Sequence, residues 1–255
     1  MVDDPEAIAA AYDGGTNFFF LSADLHWPRY AASRAGLAAL LNRDESIRDS
    51  VVVAGVSYVA QPDFSRAPFE ELIEAVPGLG RVDVLVIGGV YARDYEARRD
   101  VFLELRAEGF AGARALAATF HDRHCGLEAI NAGDLDLAMF RFNPRHPAAA
   151  TAVFPALSPT RHGLVYTFKS TTGYTSPGKL DSLGLDAGVH RPAITDYYRF
   201  ALGHPAVDGL LVSPTIPAHV AELTAALQAG ALEPDESEHL IALADFVGAA
   251  SAETR

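Results

Sequence analysis

Several residue types are scarce in this chain of 255 residues. Cys125 is the only cysteine, which excludes an internal disulfide and a zinc site made of several thiolates. No apolar run approaches the ~18 residues that cross a bilayer. The first five residues, M-V-D-D-P, lack the basic and apolar regions of a signal peptide. These absences predict a cytoplasmic protein with no membrane partner and no thiolate metal centre.

Basic residues are also few. The chain has 20 Lys and Arg against 33 Asp and Glu, a formal net charge of -13, and its basic residues are scattered along the sequence. Such a surface repels phosphate backbones, so a nucleic-acid partner is not expected. The length suits one large core, and we expect a single domain over residues 1–255.

Short apolar runs without alternation predict strands that are buried on both faces. Seven runs qualify: Thr16 to Leu21, Ser50 to Tyr58, Val82 to Ile87, Ala113 to Thr119, Leu135 to Phe142, Leu164 to Phe168 and Gly209 to Val212. Helix-like segments lie between them, beginning near Pro5 and Pro28 and covering Asp63 to Glu74, Tyr91 to Glu108 and Pro217 to Leu227.

This alternation predicts an α/β fold of the TIM type, a parallel (β/α) barrel. Seven strands are one short of a complete barrel. We therefore expect a shortened or incompletely closed barrel whose edge is covered by the N-terminal helix, by another subunit or by a second copy of the chain.

The tract from Tyr198 to Pro217 resembles the end of an aldo/keto reductase. In that family R-x-A-L leads through H-P-x-V-D into a buried strand, as residues 199–212 do here. The family continues with V-G-x-R-[NS]-P, which binds the phosphate of NADP. Here Ser213 and Thr215 replace the Gly and Arg of that turn. The resemblance covers most of the chain after Gly15, and it implies that the missing strand is the first of the family's barrel.

The same resemblance predicts a divergent member that lacks the catalytic tetrad. Residues 15–19 read G-T-N-F-F and match the family's G-x-N-F-F, but Phe20 stands for the tetrad Asp and Leu25 for the Tyr. The lysine strand ends in Gly55 and Val56, and the histidine position is Gly88. Reduction of a carbonyl needs a group that protonates the developing alkoxide, and none stands at the family's position.

The residues that hold nicotinamide in the family are also changed. Phe120 and Met139 stand where the family has Asn and Gln, so binding of NADPH is disfavoured and no cofactor is predicted. Tyr166 does match the tyrosine on which nicotinamide stacks, although an aromatic residue at a strand end also serves packing alone.

Polar residues directly after the first strand suggest other chemistry. Asp24 and His26 are two positions apart, so they could form an oriented acid/base pair or bind a metal ion together. The alternative is that Asp24 caps the helix that begins at Trp27 and Pro28.

Three further candidates follow later strands. His121 opens the segment H-D-R-H-C and is a candidate substrate contact, whereas its H-x-x-H spacing is only a weak metal signal. Lys169, one of two lysines, closes a strand and suits Schiff-base, general-base or anion-binding work. Arg141 suits a substrate carboxylate if its side chain points into the barrel. Lys169 and Arg141 could equally face solvent.

The leading hypothesis is an enzyme for non-reductive acid/base chemistry, a lyase, dehydratase or isomerase acting on a small polar or anionic metabolite. Asp24, His26 and Lys169 would be catalytic, and His121, Arg141 and Tyr166 would bind the substrate. One alternative is an NAD(P)H-dependent oxidoreductase with relocated catalytic groups, and another is a non-catalytic barrel subunit.

Overall fold

A computed structural model describes residues 2–253, which form one seven-stranded parallel sheet wound into a nearly closed barrel. The strands are β1 (Phe18–Ser22), β2 (Val52–Ser57), β3 (Val84–Val90), β4 (Ala115–Phe120), β5 (Leu137–Arg141), β6 (Leu164–Phe168) and β7 (Gly209–Leu211). Each pairs with the next in chain order. All seven lie within three residues of the predicted runs at either end, because strands that are buried on both faces are apolar at nearly every position.

Eleven helices accompany the strands within the described residues. They are α1 (Glu6–Asp13), α2 (Ala31–Leu41), α3 (Ile47–Ser50), α4 (Ala67–Ala75), α5 (Ala92–Ala107), α6 (Arg123–Ala132), α7 (Ala149–Ala152), α8 (Pro177–Ser182), α9 (Ile194–Leu202), α10 (Pro217–Ala229) and α11 (Pro234–Glu253). Short 3-10 turns cover Pro28–Tyr30, Pro62–Phe64, Phe110–Gly112 and Phe154–Ala156. No helix was predicted beyond Leu227, where the structure has α11.

Side chains alternate between two apolar layers along each strand, as the period of two requires. The inner layer fills the barrel with Ala54, Val56, Val84, Val86, Ala117, Leu137 and Met139, all buried. The larger outer layer lies between the strands and the helices. The three phenylalanines of β1 divide between these layers: Phe18 and Phe20 border the interior, whereas Phe19 packs outward. From the sequence we expect all three phenylalanines near the inner core or barrel floor, and for Phe19 this prediction is wrong.

The barrel has a seam between β1 and β7, since no pairing joins these two strands in residues 2–253. The N-terminal helix α1 packs against α2, which follows β1, and against α10, which follows β7. The backbone N–H groups of Asp3 and Asp4 donate to the carbonyl oxygen of Thr215 at 3.2 and 2.9 Å. The N-terminal segment of the same chain therefore covers the seam, as one of the predicted solutions required.

A membrane span was not expected, and among residues 2–253 no helix is both long enough and apolar enough to cross a bilayer.

Gly36 allows the close contact between α1 and α2. A Cβ atom at this position would lie 2.5 Å from the carbonyl oxygen of Pro5 and 2.8 Å from Cγ1 of Ile8. We expect Gly36→Ala to lower the free energy of unfolding by about 1–3 kcal/mol, because α1 must shift off the seam. Urea denaturation measures this change.

Gly248→Ala is the matched control. It lies in α11 with no atom within 4 Å of the added Cβ, so it should raise stability by about 0.5–1 kcal/mol through helix propensity. Equal stability of Gly36→Ala and the wild-type protein would contradict the packing of α1 described above.

Candidate active site

The carboxyl ends of the parallel strands form the mouth of the barrel, where chemistry sits in folds of this kind. Alternation along β5 puts Leu137 and Met139 in the interior and so directs Arg141 inward at the rim. His121 follows β4, and Lys169 follows β6. Phe168 pairs with Arg141 in the register of β5 and β6, which places Lys169 next to the arginine.

Positive charge acts on His121 from two of these residues. Partial burial lowers the pKa of His121 below its ordinary value, and the nearby charges of Arg141 and Lys169 lower it further. The structure therefore brings His121, Arg141 and Lys169 together at one part of the mouth. An imidazole with a lowered pKa is neutral at pH 7 and can accept a proton.

His146, in the loop after β5, belongs to the same group. Its pKa is also lowered, first by burial and then by Arg141, Arg145, Arg123 and Lys169. The Asn143 side chain lies 3.2 Å from Nδ1 of His146 and donates from Nδ2 to the carbonyl oxygen of Lys169 at 2.8 Å. The loops after β5 and β6 are thus joined through Asn143.

Lys169 has an unusual backbone conformation. Its φ of 61° lies in the left-handed region, which costs a residue with a Cβ about 1 kcal/mol or more. The hydrogen bond from Asn143 and another from the N–H of Thr172, at 3.0 Å, hold the Lys169 carbonyl in place. Backbone strain of this kind is most common at functional positions.

The two principal cations have no acidic partner. Within residues 2–253 neither Arg141 nor Lys169 has a carboxylate at ion-pair distance, and the Nε of Arg141 is buried without a hydrogen-bond partner. A buried donor left unpaired costs about 1–3 kcal/mol. These side chains are consequently suited to an anion from outside the chain.

Asp24 occupies a different position from the predicted one. It is 3% exposed, and its carboxylate accepts hydrogen bonds from the Ser57 hydroxyl at 2.9 Å and from the Tyr58 N–H at 2.8 Å. These bonds tie the segment after β1 to the end of β2. Asp24 is neither a helix cap nor the partner of a histidine.

His26 is exposed beside Trp27, with the two ring centroids 6.0 Å apart. In the described part of the chain it forms no hydrogen bond or ion pair with Asp24. The predicted acid/base pair of Asp24 and His26 is therefore wrong: a spacing of two places residues near one another, but the buried strand end drew the carboxylate to Ser57.

Arg98 extends the network around Asp24. The guanidinium group is 4% exposed and donates to the carbonyl oxygens of Gly88 at 2.9 Å and Ser57 at 3.1 Å. Burial lowers the pKa of Arg98, and the nearby charges of Asp94 and then Asp24 offset part of that effect. Arg98 therefore fixes the ends of β2 and β3 relative to each other.

Gly88 is the position where the resemblance places the family's histidine, and the ring of Tyr58 occupies the space beside it. A Cβ atom on Gly88 would lie 2.7 Å from the ring of Tyr58. Partial burial, followed by the neighbouring Tyr30, raises the pKa of Tyr58. Its hydroxyl consequently remains protonated and is a poor acid.

Tyr166 takes part in the packing of the barrel. Its ring contacts Phe18 edge to face, with centroids 5.6 Å apart, and a Cβ on Gly209 would lie 2.5 Å from it. The tyrosine thus spans from β6 to β1 across the seam. This packing role is sufficient to explain an aromatic residue there.

An open cavity of about 570 Å³ lies beside His121. It is lined by Tyr91, His121, Asp122, Arg123, His124 and Ala152. His121 stacks on Tyr91 at 5.1 Å, whereas His124 faces Glu128 at 3.3 Å. Asp122 caps α6 by accepting from the N–H groups of His124 and Cys125. Across the described chain, no three His, Cys, Asp or Glu side chains cluster closely enough to hold a metal ion.

The lone thiol is not a candidate nucleophile. Burial, and then Asp122 and other nearby acids, raise the pKa of Cys125 to about 11. The thiolate is the reactive form, so Cys125 is inert at neutral pH.

Three residues of the mouth were missed from the sequence: Tyr58, Tyr91 and His146. The signal that could have found the first two is their place directly after β2 and β3, as the same criterion selected His121 after β4. His146 carries no such signal, because it lies five residues beyond the end of β5 in a loop.

Comparison with solved structures identifies the fold. The aldo-keto reductase AKR11C1 from Bacillus halodurans, in its holo form, superimposes with a TM-score of 0.72 at 12% identity, covering 94% of this chain and 86% of that one. An aldo/keto reductase from Brucella melitensis gives 0.64 at 12% identity, with 95% and 92% covered. The reductase MGS-M4 from a Medee basin deep-sea metagenome library gives 0.67 at 12% identity, with 93% and 85% covered.

No protein-family model matches the sequence, and no curated protein does either. At this identity the structural likeness shows the fold alone: a TIM-type barrel with the architecture of the aldo-keto reductases, as the resemblance in the sequence implied.

Removal of the Asp24 carboxylate tests its structural role. Asp24→Ala should lower the free energy of unfolding by about 2–4 kcal/mol, because it leaves the Ser57 hydroxyl and the Tyr58 N–H without their acceptor and removes one of the two carboxylates near Arg98. His26→Ala, at an exposed position, is the control and should leave the urea midpoint nearly unchanged. Equal midpoints for the two variants would contradict the network.

Proposed function

We propose that this protein is an enzyme that carries out acid/base chemistry on a small anionic metabolite at the barrel mouth. The observation that carries the proposal is the convergence of Arg141 and Lys169, both without acidic partners, on His121. Asp24 and His26 are replaced in this proposal by His121 as the group that moves the proton.

The charge balance favours an anionic ligand. A chain with a net charge of -13 has many carboxylates that could neutralise a cation, and most of its arginines are paired with one. Arg141 and Lys169 are among the cations of residues 2–253 that have no carboxylate at ion-pair distance, and the Nε of Arg141 is also buried without a hydrogen-bond partner. An arginine presents two parallel N–H groups to a carboxylate or phosphate, and a lysine adds a point charge.

Bound anion and proton transfer are coupled. The two cations lower the pKa of His121, and an anion between them would cancel part of that effect. The pKa of His121 then rises, which makes the imidazole a stronger base only when substrate is present. By reciprocal linkage, the anion should bind more tightly as the pH falls through the pKa of His121.

The reaction classes that fit need no second reactant. His121 takes a proton from the substrate and becomes an imidazolium. Return of that proton to another atom of the same molecule completes an isomerisation, and its delivery to a leaving hydroxyl completes the elimination of water. The cations hold the substrate and stabilise the negative charge that develops.

Three positions speak against a nicotinamide-dependent reaction. The Thr215 hydroxyl lies 2.8 Å from Nδ1 of His219 and forms a hydrogen bond with it, so the Thr215 side chain already has a partner within the chain. Phe120 packs in the outer layer against Phe140, with ring centroids 5.9 Å apart, and Met139 is buried in the interior. None of the three supplies the cation or amide that the family's motif has there.

Binding of simple anions tests the proposal. We expect inorganic phosphate and acetate to bind, and Arg141→Gln to weaken both by roughly 10- to 100-fold, as for loss of a charge-assisted hydrogen bond. In NMR titrations, the pKa of His121 should lie below 6.5 and rise with bound phosphate or with Arg141→Gln.

Arg29→Gln is the matched control. Arg29 is exposed on the turn after β1 and forms no ion pair in the described residues, so its replacement should change neither the affinity for the anions nor the pKa of His121. A protein that binds neither anion, or a His121 pKa that does not respond to Arg141→Gln, would refute the site.

The cofactor proposal has its own test. Titration of NADPH and NADH by calorimetry should show binding weaker than roughly 100 μM, about -5.5 kcal/mol. Dissociation constants in the low micromolar range would instead favour an oxidoreductase with relocated catalytic groups.

A further inference from the structure

One side of the barrel mouth carries the cations Arg141 and Lys169, and we call it the cationic side. Another part, the aromatic side, carries the rings of Trp27 and Tyr58. Trp27 follows β1 and Tyr58 follows β2, and these side chains are 46% and 41% exposed. Their ring centroids are 6.3 Å apart at an angle of 44°. Two large neighbouring rings that remain this exposed on a folded surface are typical of a binding site.

The aromatic side is continuous with the cationic side through Gly89. A Cβ atom on Gly89 would lie 3.3 Å from the Tyr58 ring and 3.8 Å from Nε2 of His121. The phenol and the imidazole therefore flank a single backbone position that carries no side chain. Gly89 has a φ of 63° and lies in the irregularity at the end of β3, so glycine suits both its conformation and this opening.

The Tyr58 ring is held rigidly. Its backbone N–H is bonded to buried Asp24 at 2.8 Å, its side chain adjoins Tyr30, and its ring lies against Gly88. A ring fixed before binding loses little entropy when a ligand stacks on it. Stacking contributes to affinity only where the ligand is itself flat.

We infer that the ligand of this site is an aromatic acid, a planar ring that carries a carboxylate or phosphate. The inference rests on the proposed function for the binding of the charge, and it adds the nature of the group next to that charge. Arg141 and Lys169 would bind the anionic group, and Trp27 and Tyr58 would contact the ring. His121 lies between these two sides and so adjoins the atoms that join ring and charge.

Paired ligands separate the two contributions. Benzoate and cyclohexanecarboxylate have the same charge and nearly the same size, but only benzoate is flat. Calorimetry should show benzoate binding roughly two- to tenfold more tightly, the range expected from one aromatic contact. Because Trp27 is the only tryptophan, benzoate should also change the intrinsic fluorescence of the protein more than cyclohexanecarboxylate does.

Variants assign the preference to the rings. Trp27→Leu and Tyr58→Leu should each bring the ratio of the two affinities, benzoate over cyclohexanecarboxylate, closer to one. The affinity for cyclohexanecarboxylate should stay within about twofold of the wild-type value. Arg141→Gln should weaken both acids alike. Phe64→Leu, at a 63% exposed aromatic on the same β2 connection, is the control and should change nothing.

The outcomes distinguish the two proposals. Equal affinities of the wild-type protein for the two acids would overturn the aromatic inference and leave the anion site standing. A preference that survives both leucine variants would overturn it as well. Failure of both acids to bind the wild-type protein would overturn the proposed function and this inference together.

Discussion

Two buried charges of opposite sign hold the ends of the first three strands, and the shape of the mouth depends on them. Asp24 receives bonds from Ser57 and Tyr58, and Arg98 donates to the carbonyl oxygens of Ser57 and Gly88. Both groups are at least 96% buried. A charge in such surroundings costs several kcal/mol unless its bonds are complete, so neither side chain has freedom to serve as a proton carrier. The network instead sets the positions of the Tyr58 ring and of Gly88 and Gly89, which lie against that ring.

The other half of the mouth contains charged side chains that have no acidic partner in the described residues. Arg141 and Lys169 are charges without partners, and Lys169 is held in a strained conformation by Asn143. The buried, unpaired Nε of Arg141 and the left-handed backbone of Lys169 each lower the stability of the fold, although Lys169 itself is exposed. Asp24 and Arg98 each bond to two groups at the strand ends and make the first half of the mouth a rigid support, whereas the second half carries Arg141 and Lys169.

The sequence predicted the barrel better than the site, for physical reasons. Strands that are buried on both faces leave continuous apolar runs, so all seven could be located without knowledge of their partners. The direction of Arg141 stayed open, because only the register of β5 within the sheet shows which face of the strand lines the interior. The partner of Asp24 did not follow, because Ser57 is 33 positions away and only the pairing of β1 with β2 brings it near. Likewise, nothing in the sequence marks Lys169 as a residue with positive φ, since glycine is the usual residue there.

The same network explains why the aldo-keto reductase fold can persist here while the chemistry at one position changes. A side chain at position 88 would collide with the Tyr58 ring at 2.7 Å and with Cγ2 of Val56 at 2.8 Å. Displacing that ring would disturb its packing beside Tyr30 and strain the Tyr58 N–H bond to Asp24. A histidine introduced at position 88 alone would therefore be destabilising, and it would become acceptable only together with changes at Tyr58 and its partners. The Tyr58 ring thus occupies the space that a side chain at position 88 would need, and His121, after the next strand, lies across Gly89 from that ring.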